Sequence, residues 1–243
     1  MKYHYVWLIW SSAFLVSWAL LFAWNPKYRS VMWRTSWWTA LLGVTEPIFV
    51  PEYWDPPSLF ELAQRTGFDV ESFIFSFAIG GIGAALYNTI TRRDIAPVGS
   101  SERQQPRHRL HRRALFAPYV LFVPLYFLPW NPIYPSIACL VIGAIAAVFC
   151  RPDLKFQTLV GGFLFLIIYV VYMLGLKWFA SGFIEQVWNL PELSRVMVYG
   201  IPLEELLFGF SFGLYWTGAY EHFTWSHSVS RESVMSRSRG HAG

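Results

Sequence analysis

Seven apolar runs recur along this chain, at about 5–24, 32–50, 68–90, 114–130, 133–150, 157–179 and 200–221. Each is close to the roughly 17–25 residues that cross a bilayer as a helix. Such runs restrict the fold severely, because backbone groups in hydrocarbon must satisfy one another within the segment. Composition agrees: of 243 residues, 55% are hydrophobic, 19% aromatic and only 14% charged, which excludes an ordinary soluble domain. The predicted fold class is an all-α polytopic membrane protein with about seven transmembrane helices. Glu46, Pro47 and Pro51 interrupt the far end of the second run. The first begins just after Lys2 and carries Trp7, Trp10, Trp18 and Trp24. It lacks the short core and small-residue cleavage site of a signal peptide, so it is expected to be a retained helix.

Threading seven helices sorts the basic residues. All Lys and Arg except Lys2, Arg65, Lys177 and Arg195 fall on one side. That side holds Lys27, Arg29, Arg34, the loop "TRRDIAPVGSSERQQPRHRLHRR", Arg151, Lys155 and the tail with Arg231, Arg237 and Arg239. By the positive-inside rule the N-terminus is expected outside and the C-terminus in the cytoplasm of a multi-pass cell-membrane protein. Juxtamembrane topology accounts for the basic loop, so no nucleic-acid partner is expected. The loop at 91–113 and the tail at 227–243 are the stretches polar enough for disorder.

The third and seventh runs resemble each other. "FDVESFIFSFAIGGIGAALYN" (68–88) aligns with "IPLEELLFGFSFGLYWTGAYE" (201–221), matching Glu71 to Glu204, Phe75 to Phe208, Phe77 to Phe210, Gly80 to Gly213 and Tyr87 to Tyr220. The first run ends in "WNPKYR" and the fifth in "FCRPDLK", each a short basic turn with proline. An offset of four helices preserves direction, so two parallel three-helix repeats (1–90 and 133–226) are expected, joined by a connecting helix at 114–130.

The repeats carry the chemistry. Glu204 and Glu205 sit inside an apolar run, where an ionised carboxylate costs on the order of 2.5–3.5 kcal/mol, so intramembrane acids usually mark sites. Glu204 shares a helix face with Phe208, Ser211 and Tyr215; Glu205 shares one with Phe208, Gly209, Phe212 and Trp216. Burial and like charge favour the neutral carboxyl. A carboxylic acid in a dry, aromatic-walled chamber can protonate an alkene, ring faces can stabilise the cation, and a second carboxylate can remove a proton. The plainer account is that these acids complement the start of their helix. Glu71 stands in the first repeat, with Ser72 in place of the second acid, and Glu46 beside Pro47 is a further candidate.

"PLEELLF" after "VWNLPELSRVMVYGI", with its partner "FDVESFIF", resembles the membrane-embedded, flavin-free lycopene cyclases of bacteria, archaea and fungi. The resemblance implies closure of β-ionone rings at the ends of lycopene by protonation, cation cyclisation and deprotonation, an intramolecular isomerisation. It implies Glu204, Glu205 and Glu71 as catalytic carboxylates, and no cofactor. Phe75, Phe77, Phe208, Phe210, Phe212, Trp54, Asp55 and Glu46 are the expected substrate-binding residues, around an apolar polyene drawn from membrane lipid. "EYWDPP" offers only Trp54-Asp55 of the family's Pro-Trp-Asp-Asn stretch, and Gly209 stands where an aromatic is usual. A protein that binds an isoprenoid without transforming it, and a proton-coupled transporter, remain alternatives.

Other patterns carry less. "GGIGAAL" (80–86) lacks the third glycine of the G-x-G-x-x-G pattern and a preceding strand, so it reads as helix packing, not a dinucleotide loop. His222 and His227 are too far apart around a helix to act as paired ligands, and read as interfacial. Cys139 and Cys150 lie about 16 Å apart along one helix, so neither a disulfide nor a metal site is predicted.

Overall fold

A computed structural model describes residues 3–230; Lys2, Arg231, Arg237 and Arg239 lie outside the described residues. The chain is mostly helical. Its long helices are α1 (Val6–Trp24), α2 (Arg29–Ala40), α3 (Val70–Ile90), α4 (His111–Tyr126), α5 (Ile133–Cys150), α6 (Lys155–Phe179) and α7 (Leu203–Thr224). Among the described residues, four segments are long and apolar enough to cross a membrane: Val6–Trp24, Val70–Ile90, Ile133–Cys150 and Pro152–Phe179. Their outer faces are apolar too: Ile9, Val16, Phe163, Ile167 and Val171 are all exposed. Helices hydrophobic all round belong in lipid.

Local chemistry sets the breaks. A residue before proline is pushed out of the α region, and Asn25 (φ −121, ψ 71) before Pro26 ends α1. Arg151 (φ −130, ψ 76) before Pro152 ends α5 in nearly the same conformation. In both places a one-turn 3-10 helix follows, Pro26–Tyr28 or Pro152–Leu154, and its third residue is buried. The second apolar run does not stay α-helical: α2 ends at Ala40 and a 3-10 segment, Leu41–Ile48, carries Pro47 inside it. Asp69 caps α3, accepting from the Ser72 amide and from the Ser72 hydroxyl at 3.0 Å.

α3 and α7 occupy the centre. α3 packs on α1 and α2, α7 on α5 and α6, and the two central helices meet each other. Close approach needs glycine at equivalent places. A Cβ on Gly80 would lie 2.9 Å from the Thr35 carbonyl oxygen of α2, and one on Gly213 would lie 2.8 Å from the Gly161 carbonyl oxygen of α6. Between α3 and α7, Asn88 donates to Glu221 at 2.8 Å and the Thr217 hydroxyl to the Gly83 carbonyl at 3.2 Å. Gln157 donates to the same Glu221 oxygen at 2.8 Å, and Ser228 reaches both Asn88 and Gln157.

The bundle has two distinct ends. One gathers the two proline turns, the Lys27–Asp94 ion pair and an antiparallel ribbon of β1 (Asp94–Pro97) with a strand at Ser226–Val229. There the Arg151 guanidinium pairs with Asp153 at 2.6 Å and donates to the Ser226 carbonyl at 2.7 Å. Disorder is corrected for the described part of the loop and tail: backbone pairing orders 94–97 and 226–229, and short helices Ser100–Arg103 and Pro106–Leu110 follow, while the rest of the tail, from 231, lies outside the described residues. His222, expected at an interface, is buried. The other end joins the loops after α2, α4 and α6: Asn131 donates to the Glu52 carbonyl at 2.8 Å, and Trp54 forms an antiparallel bridge with Trp188. Both cysteines are free and buried.

Candidate active site

A cavity of about 320 Å³ opens among the helices, within the range of small-molecule pockets. Trp7, Phe75, Tyr172, Phe208, Phe212 and Trp216 supply much of its wall. They come from α1, α3, α6 and α7 and form a continuous ring set through Tyr169, which meets both Phe75 and Phe208. Centroids lie 5.5 Å apart for Trp7–Phe75, 5.9 Å for Phe208–Phe212 and 5.5 Å for Phe212–Trp216. No Lys or Arg is among the lining residues; the two carboxyls in the wall are Glu46 and Glu205.

Glu205 is the more heavily partnered. One oxygen accepts from the Tyr53 hydroxyl and, at 2.7 Å, from the Trp188 indole; the other accepts from the Tyr169 hydroxyl at 2.5 Å. A carboxylate that accepts three donors is held in one orientation, and bonds to a charged acceptor are the strong kind. Tyr53 comes from the loop after α2, Trp188 from the loop after α6, and these loops pair above the cavity. Besides the Trp54–Trp188 bridge, the Asn189 amide donates to the Tyr53 carbonyl at 2.9 Å and the Asp55 amide to the Val187 carbonyl at 2.8 Å. Glu46 lies in the last turn of the 3-10 segment, accepts from the Trp54 indole at 2.8 Å, and has Ser72 within reach of its carboxyl. The adjacent tryptophans therefore link both acids: Trp54 holds one, Trp188 the other, and their rings lie 5.2 Å apart at a 48° tilt.

The helical spacing that puts Glu205 with Phe208, Phe212 and Trp216 holds, for all four line the cavity. Phe75, Trp54 and Glu46 also line it. Glu204 and Glu71 do not. Glu204 is buried and accepts from the Ser194 amide and the Tyr134 hydroxyl, both at 2.8 Å; Glu71 is buried and accepts from the Leu59 amide at 2.7 Å. Each holds down the loop before its own helix. Phe77 packs against Trp18, Trp33 and Trp37, and Phe210 against Phe163, away from the lining. Asp55 is exposed and accepts from Gln64 at 3.0 Å. Sequence reasoning did not single out Tyr53, Tyr169 or Trp188. Tyr53 adjoins the Trp54-Asp55 pair and Trp188 falls within "VWNLPELSRVMVYGI", the nearest things to a signal; Tyr169 lies in ordinary aromatic-rich context.

Residues 131–223 match the family model described as lycopene cyclase. The second half of the chain, which supplies Tyr169, Trp188, Glu205, Phe208 and Phe212, is thus similar to that family. No curated protein and no solved structure matches.

Proposed function

We propose that this chain closes a ring at the end of a linear carotenoid, as a lycopene cyclase does, inside the aromatic cavity. The observation that carries the reading is the approach of two carboxyls from opposite halves, Glu46 and Glu205, to one ring-walled space with no Lys or Arg in its wall. Three donors leave Glu205 as a proton acceptor, whereas Glu46 has the less crowded carboxyl and is the proton donor. Glu46 adds a proton to the terminal C=C. The resulting cation is attacked by the neighbouring C=C, forming the ring C–C bond, and the faces of Phe75, Phe208 and Phe212 stabilise the positive charge. Glu205 then removes a proton from an adjacent ring carbon, leaving a new C=C. One proton enters and one leaves, so the reaction is an isomerisation without redox. Glu204 and Glu71 are the positioning residues that fix the loops over the site.

Seven crossings, with the N-terminus outside and the C-terminus cytoplasmic, form part of this reading. Its support is that successive long helices begin and end alternately at the basic end and at the opposite one. The parallel repeat is supported by the matched proline turns, by Gly80 and Gly213 meeting a carbonyl of the second helix of their own half, and by Glu71 and Glu204 each taking an amide of the preceding loop.

Expression in a lycopene-accumulating bacterium, followed by pigment chromatography, tests the activity. Conversion to ring-ended carotenes is expected. Unchanged lycopene beside verified membrane expression would overturn it, and lycopene copurifying unaltered would make the chain a carotenoid-binding protein.

A further inference from the structure

The basic end of the bundle, away from the cavity, brings three metal-ligating side chains together. His108 lies in the 3-10 turn Pro106–Leu110, His111 opens α4 and Cys150 ends α5. One ligand atom from each lies within 4.8 Å of the other two, and all three residues are buried. His111 Nδ1 is 3.3 Å from the Cys150 sulfur, and His108 Nδ1 is 3.6 Å from the same atom. In a tetrahedral zinc site, with Zn–S about 2.3 Å and Zn–N about 2.0–2.1 Å, a sulfur and a nitrogen stand about 3.5 Å apart. The two observed distances bracket that separation.

We propose that His108, His111 and Cys150 bind one zinc-class divalent cation, with water in the fourth position. The surroundings suit it. His108 turns its other nitrogen to Glu102 Oε1 at 3.5 Å, the carboxylate–histidine arrangement that orients metal-bound imidazoles. Trp225 stacks on His111 with centroids 3.9 Å apart, fixing the ring plane. His222 stands edge-on to His111 at 4.5 Å, and its Nε2 is buried without a hydrogen-bond partner among the described residues. Of the neighbouring guanidinium groups, Arg151 is engaged by Asp153 and the Ser226 carbonyl, and Arg107, whose Nε lies 3.4 Å from His108 Nε2, is paired with Glu102. Binding releases the Cys150 thiol proton to solvent, and the thiolate and two imidazoles fit the borderline-soft character of zinc. The cation's role is structural: it fastens the loop between α3 and α4 to the end of α5, joining residues 39 and 42 positions apart in sequence. Spacing along the chain conceals the set, because the thiol and the imidazoles come from separate segments.

Elemental analysis of the tag-free full chain, purified in detergent without chelator, is the test, together with titration of metal-stripped protein with Co²⁺. One zinc per chain and a thiolate-to-cobalt charge-transfer band are expected. Cys150→Ser and the double variant His108→Ala, His111→Ala should lose both, Cys139→Ser should keep both, and Glu102→Gln should weaken zinc affinity about 10- to 100-fold. Should Cys150→Ser fail to fold, the wild-type cobalt band still decides the matter. Absence of that band, or zinc retained undiminished in Cys150→Ser, would overturn the proposal.

Discussion

Glu204 and Glu205 are neighbours with separate tasks, because a helix turns about 100° per residue. Glu205 reaches the cavity and collects three donors; Glu204 turns toward Ser194 and Tyr134. Replacing Glu205 by Gln removes the proposed proton acceptor without changing shape. Cyclised product should fall by about 10²–10⁴-fold at unchanged membrane abundance, measured by pigment turnover per chain. Tyr53→Phe and Tyr169→Phe each delete one bond to that carboxyl, about 1.5–3 kcal/mol, so the loss should be smaller, roughly ten- to hundredfold. Glu204→Gln acts differently. Its main effect should be a lower melting midpoint in detergent, since it weakens the tie to the preceding loop. The acidic pair and its aromatic face were legible from residue types and helical spacing. Which acid faces the cavity was not, because that depends on Tyr53 and Tyr169, which reach Glu205 from 152 and 36 residues away.

At the scale of elements, apolar run length located the long helices well. Proline punctuation marked the ends of α1 and α5, where the residue before the ring cannot stay helical. Two features escaped. The ribbon of β1 with Ser226–Val229 is built from polar, charged sequence whose pairing lies entirely in the backbone. The change from α to 3-10 after Ala40 was only hinted at by Pro47, yet it delivers Glu46 to the cavity. The small-residue spacing in α3 and α7 was readable and has a direct consequence. Gly213→Ala would drive a methyl group against the Gly161 carbonyl, and overpacking of this kind costs about 1–3 kcal/mol. A lower unfolding midpoint and a reduced monodisperse fraction should follow in size-exclusion chromatography; Gly80→Ala should behave alike through the Thr35 carbonyl.

The whole molecule sets the seven-crossing reading its sharpest test. With cysteine introduced at Glu192, in the loop before α7, an impermeant thiol reagent should label intact cells. The same change at Ser101, in the basic loop, should be labelled only after the membrane is opened; the reverse pattern would invert the orientation. Charge distribution made the two ends legible from sequence, since lysines and arginines report topology directly. It did not reveal how one acid from each half comes to face the same space, which rests on loops meeting through the Trp54–Trp188 bridge. That cavity has a further implication. In the proposed reaction its single Glu46–Glu205 pair works on one terminus at a time, whereas a linear carotenoid has two. The molecule must therefore let go and rebind the other way round, and a half-finished, one-ringed compound should build up early in the time course before the doubly closed one overtakes it.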